Sequence, residues 1–184
     1  MTSFYITLPS PFGPFGVVWR EIENTPRVYR IFLSNARASS EDSIQATFPS
    51  VSRQSHPIIA DLSKQIQGFL EGQAISFELD LMALETCSEF QRSVLLAEHA
   101  IPRGWVSTYG RIAKHLGVET GARAVGNALA KNPFPIIIPC HRAIRSNGEL
   151  GGYQGGLAMK RALLAFESIE ISKAGKVLTQ SVYY

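Results

Sequence analysis

Cys140, His141 and Arg142 stand together at the end of an apolar run, Ile136-Ile137-Ile138-Pro139-Cys140-His141-Arg142. The thiolate is the nucleophilic form of cysteine, and adjacent cations favour it. Five glycines follow within nine residues, at 148, 151, 152, 155 and 156, with Tyr153 among them. Such a loop lets the backbone come close to a flat ligand. It lacks the Gly-Lys-Ser/Thr ending of a phosphate loop. Glu167, at the far end of the next helical stretch, is a candidate to orient His141 as a carboxylate orients imidazole in other nucleophile systems. The isoleucine run reads as a short buried strand. Neighbours on a strand face opposite ways, so a water or a sharp turn would have to join Cys140 to His141. A lone Cys-His pair is more often an inert buried thiol, and it is the glycine loop that tips the reading towards a reactive one. Cys87, flanked by Glu85 and Glu89, sits where a thiolate is disfavoured and reads as structural. With no Cys-x-x-Cys and with histidines scattered at 56, 99, 115 and 141, no metal site is expected.

Helices must carry this chemistry. Ser88 and Gln91 have capping-box spacing, and Phe90, Val94, Ala97 and Ile101 share one face of the helix that follows. Two short helices come next, over residues 108–116, stopped by Gly117, and 120–131, with Thr120 as N-cap and Asn132-Pro133 as the stop. Two short helices with a tight turn make a helix-turn-helix, although such pairs are also common packing units. On the second helix Ala122, Arg123, Ala124, Gly126 and Asn127 are small or polar, while Val125 and Leu129 can face a core. A helix that reads the major groove usually offers several long side chains. One arginine among small residues suits a narrow groove, with Arg123 able to enter the base stack. After the glycine loop, Met159, Ala162, Leu163 and Phe166 mark the inner face of another helix.

The first half carries no comparable chemistry. Residues 4–8, 16–22 and 28–33 read as strands separated by turn signals, and 34–56 as a polar connection with one short helix. Ile59, Leu62, Ile66, Phe69 and Leu70 define a helix capped by Gly72, and Ile75, Phe77 and Leu79 alternate as a half-buried strand would. His56 reads as a surface residue. The chain as a whole is 184 residues with a formal net charge of +3, enough for one large or two small domains. The charge is unevenly spread: residues 1–90 hold 6 Lys/Arg against 10 Asp/Glu, and residues 91–184 hold 12 against 5. A basic second half suits a polyanionic partner such as nucleic acid. No apolar run approaches the roughly 20 residues that span a bilayer, the first residues carry no secretion signal, and two dissimilar cysteines suit a reducing compartment.

Taken together, Asn132-Pro133-x-Pro135-Ile136-Ile137-Ile138-Pro139-Cys140-His141-Arg142, Gly151-Gly152-Tyr153-x-Gly155-Gly156, Lys160 and Leu163-Leu164-x-x-Glu167 resemble the methylated-DNA–protein-cysteine methyltransferases, the O6-alkylguanine-DNA alkyltransferases. Ile101-Pro102-x-Gly104, Thr108-Tyr109-Gly110-x-Ile112-Ala113 and Ala122-Arg123-Ala124-Val125-Gly126 match as well, so the resemblance spans about residues 90–167. It implies that Cys140 takes an alkyl group from guanine O6 and keeps it, with His141 as base through a water and Glu167 holding the imidazole. Tyr109 would serve guanine N3 or the flipping phosphate. Arg123 would fill the hole left by a flipped nucleotide, with Ala122, Ala124 and Gly126 against the DNA. Asn132, Pro135, Ala143, Ser146, Tyr153, Gln154, Gly155 and Lys160 would line or support the pocket. The implied fold is a mixed α/β (α+β) chain. An RNase-H-like sheet-and-helix domain over 1–86 precedes a mostly helical domain with the helix-turn-helix over 87–168, and a tail covers 169–184. The implied partner is double-stranded DNA carrying O6-alkylguanine, met by a monomer in the cytoplasm, or in the nucleus of a eukaryote. No cofactor and no metal are implied, since 1–86 lacks the cysteines with which some relatives bind zinc. Three departures stand out: Ala143-Ile144 where Val-Val is common, Gln154 where a smaller residue is usual, and no Trp at Val94-Leu95-Leu96.

Overall fold

A computed structural model describes residues 2–184. Contacts divide the chain into two units, one of residues 1–86 with 133–137 and one of 87–132 with 138–184.

The first unit is built on a four-stranded sheet of order β3-β2-β1-β4. Strands β1 (Phe4–Leu8), β2 (Phe15–Ile22) and β3 (Thr25–Leu33) run antiparallel, and β4 (Ser52–Arg53) adds to β1 in parallel. Glu23 and Asn24 take positive φ of 49° and 61°, the two-residue hairpin turn whose twist matches the strands. The polar connection therefore supplies a strand as well as helix α1 (Ser40–Thr47), capped by the Ser39 hydroxyl. Helix α2 (Pro57–Leu70) buries Ile59, Leu62, Ile66, Phe69 and Leu70. Its N-cap is His56, whose ring accepts from the Ile58 N–H and lies edge-on to Trp19. That gives His56 a structural task that its sequence neighbours did not reveal.

The alternating stretch at 75–79 forms no strand. Phe77 packs on Phe69 at 5.7 Å between ring centroids, and the backbone joins the sheet only at the isolated Val28–Met82 bridge. The isoleucine run is not a strand either. All three side chains are buried, but Ile136 sits at φ 77°, which breaks extended pairing.

The second unit packs helices α3 (Glu89–His99), α4 (Tyr109–His115) and α5 (Ala122–Ala130) together. Ser88 caps α3, and Thr108 caps α4. The α3 core face is Val94, Leu95, Ala97 and Glu98, continued by Ile101; Phe90, in the first turn, is 38% exposed, contrary to its expected place inside. Helix α5 starts one residue later than expected. The tight Val118–Gly121 turn puts Gly121, not Thr120, at the N-cap, without a side-chain bond. The Gln91 amide donates to the Ala128 and Lys131 carbonyls, satisfying the open C-terminal end of α5. Helix α6 (Gly156–Phe166) buries Met159, Lys160, Leu163 and Leu164 and leaves Phe166 exposed, since it falls in the last turn.

Residues past 168 are part of this unit. Strands β7 (Glu170–Ile171) and β8 (Val177–Leu178) form a hairpin, and Ile169, Ile171, Val177 and Val182 pack with Val106, Ile144, Leu150 and Leu164. Val106 bonds to Ser181 and Tyr183 through the backbone, and the Tyr184 ring stacks on His115 at 3.8 Å.

Candidate active site

Cys140 opens a single 3-10 turn, Cys140–Arg142, directly after Pro139. The turn solves the problem a strand would have posed, because consecutive side chains on so tight a helix are not forced to opposite faces. It leads into β6 (Ala143–Ile144), which pairs in parallel with β5 (Ser107–Thr108) and so ties the cysteine turn to the start of α4.

His141 and Glu167 are fully buried together, with Nε2 2.9 Å from Oε1. Arg142 grips the same carboxylate: its Nε donates to Oε2 at 2.9 Å and its Nη2 to Oε1 at 2.8 Å, while Nη1 donates to the Ile101 carbonyl at 2.6 Å. Burial alone would raise the Glu167 pKa. The hydrogen bonds from His141 and Arg142, with the arginine's charge, instead hold it down at about 2. Burial lowers the His141 pKa, against the support of Glu167. The imidazole is therefore neutral at rest and ready to accept a proton.

The thiol does not behave as its cationic neighbours suggest. Cys140 is 8% exposed, and burial pushes its pKa up to about 11; a hydrogen bond from Asn132 and the Lys160 charge pull it down, and Glu98 pushes it further up. Arg142 cannot help, because its charge is spent on Glu167. The thiol is therefore protonated at rest, and the proton must be removed during reaction, the task that the resemblance gives to His141.

The remaining pocket residues fall into three groups. Asn132 Nδ2 donates to the Ile138 carbonyl at 3.1 Å, fixing the segment that delivers Cys140. Lys160 is fully buried and its ammonium donates to the carbonyls of Ala143 at 2.6 Å and Leu150 at 2.5 Å, joining β6 to the start of the glycine loop. Tyr109 begins α4, with a pKa pushed up to about 12 by burial and by the negative charges of Glu98 and of an ionised Cys140. Its hydroxyl points at Gly151, where a Cβ would lie 2.5 Å from it; the φ of +71° also favours glycine. The Tyr153 hydroxyl is buried without a hydrogen-bond partner, its ring edge-on to His141 at 6.4 Å. Gln154 is half-buried in the loop, and Gly155 abuts Met159. Two predicted pocket residues lie apart. Ser146 is in the exposed turn at 145–148, and Pro135 belongs to the segment counted with the first unit.

On α5, Ala122, Arg123, Ala124 and Asn127 are exposed, and Val125, Ala128 and Leu129 are buried. Gly126 sits against the Tyr109 ring, so the small face of α5 borders the tyrosine that opens α4. Sequence reasoning passed over two charged residues of this unit. Arg142 was visible as a cation but not as the clamp on Glu167. Glu98 was marked only by its phase, since a carboxylate between Val94 and Ile101 on a core stripe is out of place.

A buried cysteine backed by a histidine–carboxylate pair, in one unit with a helix-turn-helix, defines a thiol group-transfer protein of DNA-binding architecture. The family of 6-O-methylguanine DNA methyltransferase DNA-binding domains matches residues 89–169. The methylated-DNA–protein-cysteine methyltransferase of Methanothermobacter thermautotrophicus is 38% identical over 165 residues, 89% of this chain and 85% of that protein. The chain belongs to the methylated-DNA–protein-cysteine methyltransferase family. Its fold is that of the Mycobacterium tuberculosis O6-methylguanine methyltransferase crystal structure, with a TM-score of 0.71 at 30% identity over 90% of this chain and 93% of that one. The Mycobacterium tuberculosis protein in complex with DNA superposes with a TM-score of 0.67, again at 30% identity, over 89% of this chain and 92% of that one. The mixed α/β class expected from the sequence agrees with these structures. No helix among the described residues is long and apolar enough to cross a membrane.

Proposed function

We propose that the chain repairs DNA by direct reversal, moving the alkyl group of O6-alkylguanine onto Cys140 once per molecule. The observation that carries this reading is the Cys140 thiol, buried and protonated, with the neutral His141 imidazole, held by the Glu167 carboxylate, one residue away in a helix-turn-helix unit. As the substrate carbon approaches, the thiol proton passes through a water to His141 Nδ1, since Nε2 is held by Glu167. The resulting imidazolium is stabilised by that carboxylate. The S–C bond forms while the O6–C bond breaks, and the guanine leaves after gaining a proton at N3 from Tyr109. The histidine proton then restores the tyrosine. The product is a thioether, and nothing in the site can return it to a thiol.

A base must leave the stack to reach a thiol only 8% exposed. The exposed Arg123 would fill the vacated space while Ala122, Ala124 and Gly126 let α5 approach a minor groove closely. Ala143, Tyr153, Gln154 and Gly155 would bound the guanine, with Lys160 and Asn132 holding the walls in place. Double-stranded DNA is the partner, engaged by a monomer; two cysteines that form no disulfide suit the cytoplasm or nucleus as the compartment.

The test is incubation with DNA bearing labelled O6-methylguanine. Label should appear on Cys140 at one equivalent per protein and vanish with Cys140→Ala. Multiple turnover, or binding without transfer, would overturn the reading.

A further inference from the structure

Glu98 is fully buried on α3, and neither carboxylate oxygen has a hydrogen-bond partner. A carboxyl buried in that state is costly when charged, and the transfer chemistry does not use it. Groups from every element packed against it act on it or are acted on by it. Lys160 comes from α6, Arg142, Cys140 and the Ala143 N–H from the cysteine turn and β6, Tyr109 from α4, and Tyr184 from the end of the chain. The Ala143 N–H lends it a weak favourable interaction short of a hydrogen bond. Neither cation pairs with it. Arg142 is committed to Glu167 and the Ile101 carbonyl, and the Lys160 ammonium to the Ala143 and Leu150 carbonyls.

Burial pushes the Glu98 carboxyl up to about 8, which keeps it mostly protonated in neutral solution. Lys160 is pressed the other way, down to about 8, with the charges of an ionised Cys140 and Glu98 supporting its ammonium. Below about pH 8 the cluster therefore holds the Lys160 charge near the thiol with Glu98 neutral; above it both groups lose a proton, and the ionised Glu98 leaves a negative charge there.

We infer that Glu98 is a positioning residue that sets the charge around Cys140, the neutral carboxyl leaving Lys160 free to favour the thiolate and the ionised carboxylate opposing it. This deepens the alkyl-transfer reading and rests on it for its biological meaning, but it concerns the ionisation of the thiol itself. It makes the protein's reactivity fall short, in alkaline solution, of what rising pH should deliver.

The experiment uses the full chain with Cys87→Ser, so that iodoacetamide reports on Cys140. Alkylation of Cys140 is followed by mass spectrometry from pH 6 to 9.5, beside single-turnover transfer from free O6-benzylguanine. The proteins are Cys87→Ser alone and the same chain with Glu98→Gln or Glu98→Leu. Lys160 loses its proton in all three, so the differences read Glu98. At pH 6.5 the three should react within twofold of one another. At pH 9.5 both Glu98 variants should react about three- to tenfold faster, the change that a half to one unit in the thiol pKa produces. Two neutral replacements guard against one failing to fold, as checked by circular dichroism. Parallel profiles across the range would overturn the inference, as would loss of the fold in both variants. Separated iodoacetamide profiles without any benzyl transfer would support it and overturn the alkyl-transfer reading instead.

Discussion

Replacing Glu167 by Gln keeps the shape of the side chain and removes its charge, which tests the core of the mechanism. The carboxylate is fully buried and accepts from His141 and Arg142. Its pKa of about 2, against 4.5 unperturbed, corresponds to about 3 kcal/mol of native-state stabilisation. The folded pKa is depressed, so this stability is present above pH 4.5 and is lost as pH falls towards 2. Glu167→Gln should therefore cost about 3 kcal/mol at pH 7, and strand the Arg142 charge with only the Ile101 carbonyl. The rate should suffer as well. The imidazolium formed as Cys140 loses its proton would face a neutral amide in place of a carboxylate. A charge-assisted hydrogen bond exceeds a neutral one by about 1–2 kcal/mol, and the uncompensated Arg142 adds repulsion of similar size. Together they predict a roughly hundredfold slower transfer. Single-turnover reaction with free O6-benzylguanine at 25 °C measures this without DNA binding or base flipping. A variant reacting within threefold of wild type, with an unchanged melting temperature at pH 7, would refute the assignment of Glu167 as the carboxylate that supports His141.

Other substitutions separate the remaining roles. Arg123→Ala should slow repair of duplex DNA at least tenfold and leave reaction with free O6-benzylguanine unchanged; equal losses on both would remove Arg123 from base flipping. Gly151→Ala must displace the Tyr109 hydroxyl, 2.5 Å from the new Cβ, and strain a φ of +71°. It should lower stability by about 1–3 kcal/mol and slow both substrates, as read by thermal melts and single-turnover rates. Glu98→Leu should alter the pH dependence of stability. A carboxyl whose folded pKa is raised to about 8 costs stability as pH climbs from 4.5 through 8, so the variant's advantage in melting temperature should be larger at pH 9 than at pH 5.

The candidate site was legible where its residues lie in contiguous runs whose order survives folding: Cys140 beside His141, a glycine loop, then Glu167 one helix later. The two helices at 108–116 and 120–131 were legible from stop signals at Gly117 and Asn132 that act locally, although the pair by itself marked a helix-turn-helix only weakly. What escaped depends on groups distant in sequence. Arg142 reads as a cation that should lower the thiol pKa until Glu167, 25 residues on, is seen to absorb its charge. The isoleucine run has the composition of a strand, yet Ile136 at positive φ and burial on all sides make it a packed connection. The end of the chain showed only a sparse apolar pattern. Its Val106 pairing and its stack on His115 come from partners some 70 to 80 residues away.

A thiol held at about 11 bears on how a single-use protein avoids waste. Against a free cysteine near 8.5, it carries about 300-fold less thiolate at neutral pH. Small electrophiles that find Cys140 without presenting a base to the pocket should be met by an unreactive group. In the proposed mechanism the bound guanine lesion differs because His141 takes the proton as the O6–C bond breaks, so little resting thiolate is required. Cys140 should then react with iodoacetamide at pH 7 about a hundredfold more slowly than free cysteine, while transferring the benzyl group of O6-benzylguanine efficiently. Mass-spectrometric rates on the Cys87→Ser protein measure both. Iodoacetamide reactivity equal to or above that of free cysteine would mean that the thiolate is already formed at rest, and His141 would lose its role as the base.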